Sequence, residues 1–224
     1  MEVGIGLPAT IPGVTGEQLI GWARQADEAG FSTLGTIDRV VYPNYEPLIA
    51  LAAAAAVTER IGLTTAIALV PNRANAALLA KQAATIHHLS NGRLVLGAAV
   101  GGRPDDFEVS GVPFEGRGKR FEEMLEQMTA LWKTGEVGPK VDSPPPIMIG
   151  GSVDAAYRRA AEYGAGWIMG GGTPEMLADG RAKTEEAWKQ AGRDGAPRIA
   201  ALAYYALGDG TEQAADSYLH HYYE

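Results

Sequence analysis

A parallel β/α barrel in a single domain, residues 1–224, is the fold this sequence predicts, and three features predict it. Four short runs of mostly apolar residues, Val3 to Leu7, Ser32 to Ile37, Ile61 to Leu69 and Leu94 to Val100, recur about every 30 residues, the length of one strand-plus-helix unit. Their apolar character is continuous rather than alternating, as in parallel strands covered on both faces. Between them the pattern turns helical, and 224 residues with 46% apolar content suffice to bury one substantial core.

The first helix opens at Thr15 with Gln18 three residues later, a capping box, carries Leu19, Trp22, Ala23 and Ala26 on one face, and stops at Gly30. A second apolar helix is expected over Pro47 to Thr58, where the run Ala52 to Ala56 allows close packing. After Asn72 a stripe of Leu78, Leu79, Ile86 and Leu89 predicts a third helix, ending at Asn91-Gly92, where glycine can take the left-handed conformation that releases the next strand; Gly164 is expected to do the same. Phe121, Met124, Leu125, Met128 and Leu131 form the clearest amphipathic pattern, closed by Gly135. From Glu136 to Pro146 the chain is rich in Gly and Pro, which favours an extended connection. Then follow a strand Ile147 to Gly150, a helix Ser152 to Tyr163, a strand Ala165 to Met169, a helix Thr173 to Ala191 and a strand Arg198 to Leu207. These make seven strands, whereas a (β/α)8 barrel closes with eight. The expectation is an α/β TIM barrel whose eighth strand is missing: either it lies beyond Glu224, or the sheet closes unusually.

Composition removes several functions. A net charge of −8 without a basic run argues against nucleic acid or an anionic membrane surface as partner. The absence of cysteine excludes disulfides, thiolate nucleophiles and cysteine-based metal sites, and fits a reducing cytoplasm. The start MEVGIGLP has no basic segment followed by an apolar one, and Pro47 to Thr58 is too short to span a bilayer, so a soluble, cytoplasmic protein is expected.

In such folds function collects at the carboxyl ends of the strands. Here those ends are nearly bare of reactive groups, and only Asp38 and Arg39 plainly qualify; they could pair with each other, cap the next loop or meet a ligand. His87-His88 and His220-His221 lack the one-face helical spacing of metal ligands, so no metal site is expected. The ends do offer backbone. Gly150-Gly151-Ser152 leads into one helix and Gly171-Gly172-Thr173-Pro174 into the next, with Thr173 as cap. Either turn alone is explained by tight geometry, but two glycine-lined helix starts on adjacent strands point to a phosphate cradle. Gly4-Ile5-Gly6-Leu7-Pro8-Ala9 matches a dinucleotide pattern only literally, because its glycines lie inside the strand; chance or close packing explains them better. Thr64 and Thr65 are read as satisfying sheet positions, and Arg73 and Lys81 as solvated or snorkelling helix residues.

The order of motifs carries a resemblance. Ala80-Lys81-Gln82-Ala83-Ala84-Thr85-Ile86, then Leu89-Ser90-Asn91-Gly92-Arg93-Leu94-Val95-Leu96-Gly97 and Gly101-Gly102, resembles the lysine-bearing helix, "L-S-x-G-R" and glycine-ended strand of luciferase-like monooxygenases. Phe114-Glu115-Gly116-Arg117, Pro145 to Ser152 and Gly164 to Ile168 follow in that family's order, so the resemblance covers essentially the whole chain. It implies a (β/α)8 barrel binding FMN or the deazaflavin coenzyme F420, an oxidoreductase that passes hydride to or from a small organic substrate. The phosphate would lie at Gly150, Gly151, Ser152 and the Gly171 to Thr173 turn, with Gly101 nearby. Thr65, Ala66 and Ile67 match a strand end that packs on the ring system, often through a bulge with a cis peptide. Asp38 matches an aspartate that several deazaflavin enzymes follow with histidine; Arg39 stands there instead, which leaves FMN open. Similar proteins continue through another helix and a final apolar strand, both expected to be missing here. Two other readings remain: a non-catalytic flavin-binding protein with an incomplete barrel, and a cofactor-free barrel enzyme acting on a phosphorylated metabolite. Alanine-rich helices and an open barrel edge would suit a homodimer.

Overall fold

The computed structural model describes residues 1–140 and 143–223, so Val141 and Asp142 of the expected Gly/Pro-rich connection lie outside the described residues. Parallel strands β1 (Ile5–Gly6), β2 (Thr33–Thr36), β3 (Gly62–Thr65), β4 (Ala68–Leu69), β5 (Leu94–Ala99), β6 (Ile147–Gly150), β7 (Gly166–Met169) and β8 (Arg198–Ala201) form one sheet. Its order is β1-β2-β3-β5-β6-β7-β8, with β4 pairing beside β3 on β5. Strands adjacent in the chain are adjacent in space, the winding of a barrel. Seven positions are filled, as the sequence predicts. Among the described residues no ladder joins β8 to β1, and the seam is spanned by a long, exposed Arg198–Glu2 ion pair at 3.9 Å.

The helices follow their local signals. α1 (Gly16–Glu28) has the predicted capping box: the Gln18 N–H donates to Thr15 Oγ1 at 3.3 Å and the Thr15 N–H to Gln18 Oε1 at 2.9 Å. Trp22 of that face is at the rim, its indole donating to the Gly6 carbonyl at 3.0 Å. α2 (Pro47–Ala55) and α3 (Ala76–Leu89) pack on the strands through alanines. In α3 the buried stripe is Leu79, Ala80, Ala83, Ala84 and Ile86, while the predicted Leu78 and Leu89 face solvent. Small residues let that helix approach the sheet closely, so alanine rather than leucine marks its inner face. Asn91 and Gly92 both have positive φ, as expected. Gly164 does not: it is extended, and glycine is needed because a Cβ would press on the carbonyls of Ala160 and Ile147. α5 (Arg117–Thr134) buries Phe121, Met124, Leu125 and Met128 and closes at Gly135 in the left-handed conformation.

The remaining helices are α4 (Pro104–Val109), α6 (Asp154–Tyr163), α7 (Pro174–Gln190) and α8 (Thr211–Tyr223). Two C-terminal expectations are corrected. β8 ends at Ala201 rather than Leu207, and a helix, α8, does follow it. Its aromatic residues turn back to the β1 and β2 side: Tyr218 shares a 2.7 Å hydrogen bond with Thr10, and His221 and Tyr222 pack on the ring of Tyr42. Of the GxGxxA-like run, Gly4, just before β1, is closely packed, since a Cβ there would press on Thr33 of β2, whereas a Cβ on Gly6 would meet nothing within 4 Å. Among the described residues no helix is long and apolar enough to cross a membrane.

Two charged staples hold the helix-to-strand connections. Arg93, the arginine of the "L-S-x-G-R" motif, donates to the carbonyls of Ala55, Thr58, Ile61 and Ser90, tying the ends of α2 and α3 to the start of β3. Buried Asp27 accepts from the backbone N–H groups of Glu59, Arg60 and Ile61 at 2.8, 3.2 and 2.8 Å. Burial pushes its pKa up, but these donors and the Arg60 charge outweigh burial and hold it below the ordinary carboxylate value. Asp27→Ala leaves three N–H groups without that acceptor and is expected to cost about 2–3 kcal/mol, lowering Tm by roughly 5–10 °C. Because the folded-state pKa is depressed, this stabilisation is complete above the unfolded carboxylate pKa and is lost as pH falls through the folded value. The Tm gap between parent and variant should therefore narrow in acid; a gap independent of pH would contradict the assignment.

Candidate functional site

The third strand breaks where the site begins. Thr64 is paired with Val95 and Ala68 with Ala98, so four steps along this strand match three along β5. One residue is in excess, the arithmetic of a bulge. The break falls at Ala66 and Ile67, whose peptide is cis, as the resemblance implied. Opposite it, Gly97 has no Cβ to strike the Thr65 carbonyl, and the Thr65 hydroxyl donates to the Gly97 carbonyl at 2.7 Å. Ile67 lies across the ends of β6 and β7: a Cβ on Gly150 would collide with its Cδ1, and one on Gly170 would approach it at 3.5 Å.

Around this bulge, at the carboxyl ends of the strands, lies a cavity of about 960 Å³, large enough for a cofactor. Of the residues expected to bind one, Ala66, Ile67, Gly101, Gly150, Gly151, Ser152 and Gly171 line it. Thr65, Gly172 and Thr173 do not. Thr65 is turned into the sheet, Gly172 faces Met176, and Thr173 accepts from the Met176 N–H at 3.3 Å as the cap of α7. Since Pro174 follows and lacks a donor, the start of α7 is already largely satisfied. Of the second turn of the expected cradle, Gly171 alone lines the cavity. α6, which begins after Val153 with Asp154 in its first turn, has no side-chain cap, and neither has α5, which begins after Gly116 at the same cavity. Their exposed N–H ends supply partial positive charge.

Sequence reading missed the arginines there. Arg103, Arg117 and Arg159 line the cavity. Arg159 is compensated by Glu122 at 2.8 Å, and Arg103 by Asp105 at 3.7 Å. Arg117 donates to the carbonyls of Gly101 and Phe114 and stacks on the Phe114 ring at 3.7 Å; among the described residues no carboxylate pairs with it. Its signal was present in Gly116-Arg117, an arginine at a helix start. Trp167 was missed in the same way: its indole donates to the Gly151 carbonyl at 2.7 Å and fixes the turn before α6.

Asp38 and Arg39 both line the cavity, but they are not paired with each other. Asp38 accepts the Leu69 N–H at 2.8 Å and Arg73 at 2.9 Å, both on Oδ2. Arg39 bonds Asp106 at 2.8 Å and Asp105 at 3.0 Å and donates to the Tyr222 carbonyl at 3.4 Å. Asp106, fully buried, also accepts the N–H groups of Val40 and Val41, so it shapes the loop after β2. Arg73 is neither solvated nor snorkelling. It is largely buried between Asp38 and Glu46; burial lowers its pKa, but those two carboxylates outweigh burial and raise it. The histidines are apart from the cavity: His87 is buried against the Leu94 carbonyl, and burial lowers its pKa.

Fold and site together define an α/β-barrel protein with a partly apolar cavity, lined by several arginines, at the ends of its strands. The chain belongs to the luciferase-like monooxygenase family, whose model matches residues 1–224. An uncharacterised protein of Mycobacterium tuberculosis (strain ATCC 25618 / H37Rv) is 32% identical over 208 residues, covering 76% of this chain and 71% of that protein. Among solved structures, the monooxygenase RslO1 from Streptomyces bottropensis superposes with a TM-score of 0.81 at 24% identity, covering 99% of this chain and 77% of that one. An F420-dependent secondary alcohol dehydrogenase in complex with an F420-acetone adduct superposes with a TM-score of 0.83 at 21% identity, covering 97% and 73%. The family places the chain among oxidoreductases.

Proposed function

We propose that the chain binds FMN or coenzyme F420 in the 960 Å³ cavity and transfers hydride to or from a small organic substrate. The observation that carries this reading is the combination of a bulged apolar floor with an uncapped helix start in one cavity. A Cβ at Gly171 or Gly102 would meet no protein atom within 4 Å, and Gly171 has a positive φ, so backbone is bare towards open space there. Ala66, Ile67 and Met169 offer an apolar surface of the kind a tricyclic ring needs, and Ser152, the start of α6 and Arg117 offer the charge for its phosphate tail.

When bound, the cofactor would supply the hydride chemistry. The chain's own task is then to bind, orient and exclude water. Ile67 and Ala66 hold one face dry; Trp167 steadies the phosphate turn through Gly151; Asp38 and Arg39, kept rigid by Arg73 and Asp106, mark the wall where a substrate would be oriented. The third reading, a cofactor-free enzyme for phosphorylated metabolites, uses the anion site but leaves the apolar floor without a role.

Titration of the purified chain with FMN and with F420, followed by fluorescence and melting temperature, tests the proposal. Saturable binding of one of them is expected, with a rise in Tm of several degrees at 100-fold excess over Kd, about 2.7 kcal/mol by mass action. Stabilisation by inorganic phosphate or sugar phosphates with no response to either cofactor would favour the third reading instead.

A further inference from the structure

A second, smaller pocket of about 210 Å³ lies behind the wall that Asp38, Arg39 and Leu69 form for the main cavity. Its other side is made by the loop after β2 and by the short 3-10 turn Val70–Arg73 that follows β4. Seven buried side-chain polar atoms among the described residues have no hydrogen-bond partner, and five of them belong to residues lining this pocket: Asn72 Nδ2 and Oδ1, the Tyr42 hydroxyl, Asn44 Oδ1 and Arg73 Nε. Buried polar atoms are nearly always paired, so such a concentration marks a place where something polar belongs.

The charges say what kind of group that is. Arg73 is matched by Asp38 and Glu46 at 2.9 and 2.7 Å, and Arg39 by Asp105 and Asp106 at 3.0 and 2.8 Å. Both guanidiniums on the lining are therefore already taken up by carboxylates, and among the described residues an anionic occupant would find no free cation there. What remains unmet is neutral and two-sided. Asn72, only 6% exposed, has both its NH2 and its carbonyl free, Arg73 Nε–H adds a donor, Asn44 Oδ1 an acceptor, and the Tyr42 hydroxyl can serve as either. Burial raises the Tyr42 pKa, so its hydroxyl stays protonated and available, although the nearby Arg39 opposes the rise.

We propose that this pocket binds a small neutral group that carries donor and acceptor side by side, a carboxamide or urea-type group, and that it holds that end of the substrate behind the Asp38–Arg39 wall. The binding site stands on the geometry alone; its assignment to the substrate rests on the oxidoreductase reading. An amide laid against Asn72 meets NH2 and carbonyl with two parallel hydrogen bonds, whereas a ketone has no donor and a hydroxyl has a single oxygen for both roles.

The test uses the full 15N-labelled chain without added cofactor, titrated with acetamide and, in parallel, with acetate, which has the same shape and a charge. Acetamide is expected to shift the Asn72 side-chain NH2 signals saturably, while acetate does not. Asn72→Leu should abolish the shifts of neighbouring backbone signals, and Asn72→Asp, nearly the same size and lacking the NH2 donor, should weaken acetamide at least about tenfold, each variant being checked by its melting temperature. Equal responses to acetamide and acetate, no saturation, or acetamide binding unchanged in either folded variant would overturn the proposal and leave a pocket that holds water only. Cofactor titration fails or succeeds separately: FMN or F420 binding without acetamide binding refutes the pocket alone, and the reverse leaves the pocket while removing its link to a redox substrate.

Discussion

Gly97→Ala is expected to abolish stable folding. Gly97 sits in β5 opposite the bulge, and a Cβ there would overlap the carbonyl oxygen of Thr65. The obstacle is backbone on both sides, because Gly97 also pairs with Met148 of β6 and accepts the Thr65 hydroxyl. No rotamer change relieves such a clash; β3 and β5 must part, or the bulge must open. A cost of more than about 4 kcal/mol is expected, a large share of the 5–15 kcal/mol that holds a typical domain together. Gly102→Ala is the matched control, since its Cβ would meet nothing within 4 Å and its φ is not positive; it should shift stability by less than about 1 kcal/mol. Soluble yield and thermal melts of the two variants decide the matter. A folded Gly97→Ala protein melting within a few degrees of the parent would mean that β3 and β5 are not joined as described.

Ser152→Asp is expected to weaken FMN or F420 binding about 100-fold, close to 2.7 kcal/mol, with the fold intact. Ser152 is exposed at the cavity, just before the uncapped start of α6. A carboxylate there occupies the positive end of the helix dipole and repels a phosphate that would take the same place. Since the same charge stabilises the helix, lost binding cannot be ascribed to unfolding, and Tm should hold or rise slightly. Ser152→Asn adds similar bulk without charge and should change Kd by no more than about threefold. Raising salt should weaken the parent's binding more than that of the variant. Undiminished binding by Ser152→Asp would place the phosphate elsewhere, with Arg117 and the start of α5 as the next position to alter.

The parts of this site that were legible in the sequence are those made by local rules. The capping box at Thr15 and Gln18, the left-handed stop at Asn91-Gly92 and the Phe121 to Met128 stripe are set within one or two turns of chain, and the structure keeps all of them. The glycines at 150, 151 and 171 were found for the same reason, although Gly150 proves to make room for Ile67. The errors have a different origin. Arg73 reads as a surface residue because nothing nearby in the chain shows that Asp38, 35 residues earlier, and Glu46, 27 residues earlier, close on it. Thr173 reads as part of a phosphate cradle, but a cap that satisfies its own helix has less to offer an anion.

The sequence by itself determined that this chain winds parallel strands and helices in turn, that seven positions of the sheet are filled among the described residues, and that its strand ends are rich in bare backbone and poor in reactive side chains. Periodicity and turn chemistry act over a few residues, so they can be read in order along the chain. Only the tertiary structure decided which charges meet, that the starts of α5 and α6 have no side-chain cap while that of α7 is capped by Thr173, and that among the described residues no carboxylate pairs with Arg117. Those outcomes depend on contacts between segments tens of residues apart, whose free energies are settled by packing and desolvation once the strands are side by side.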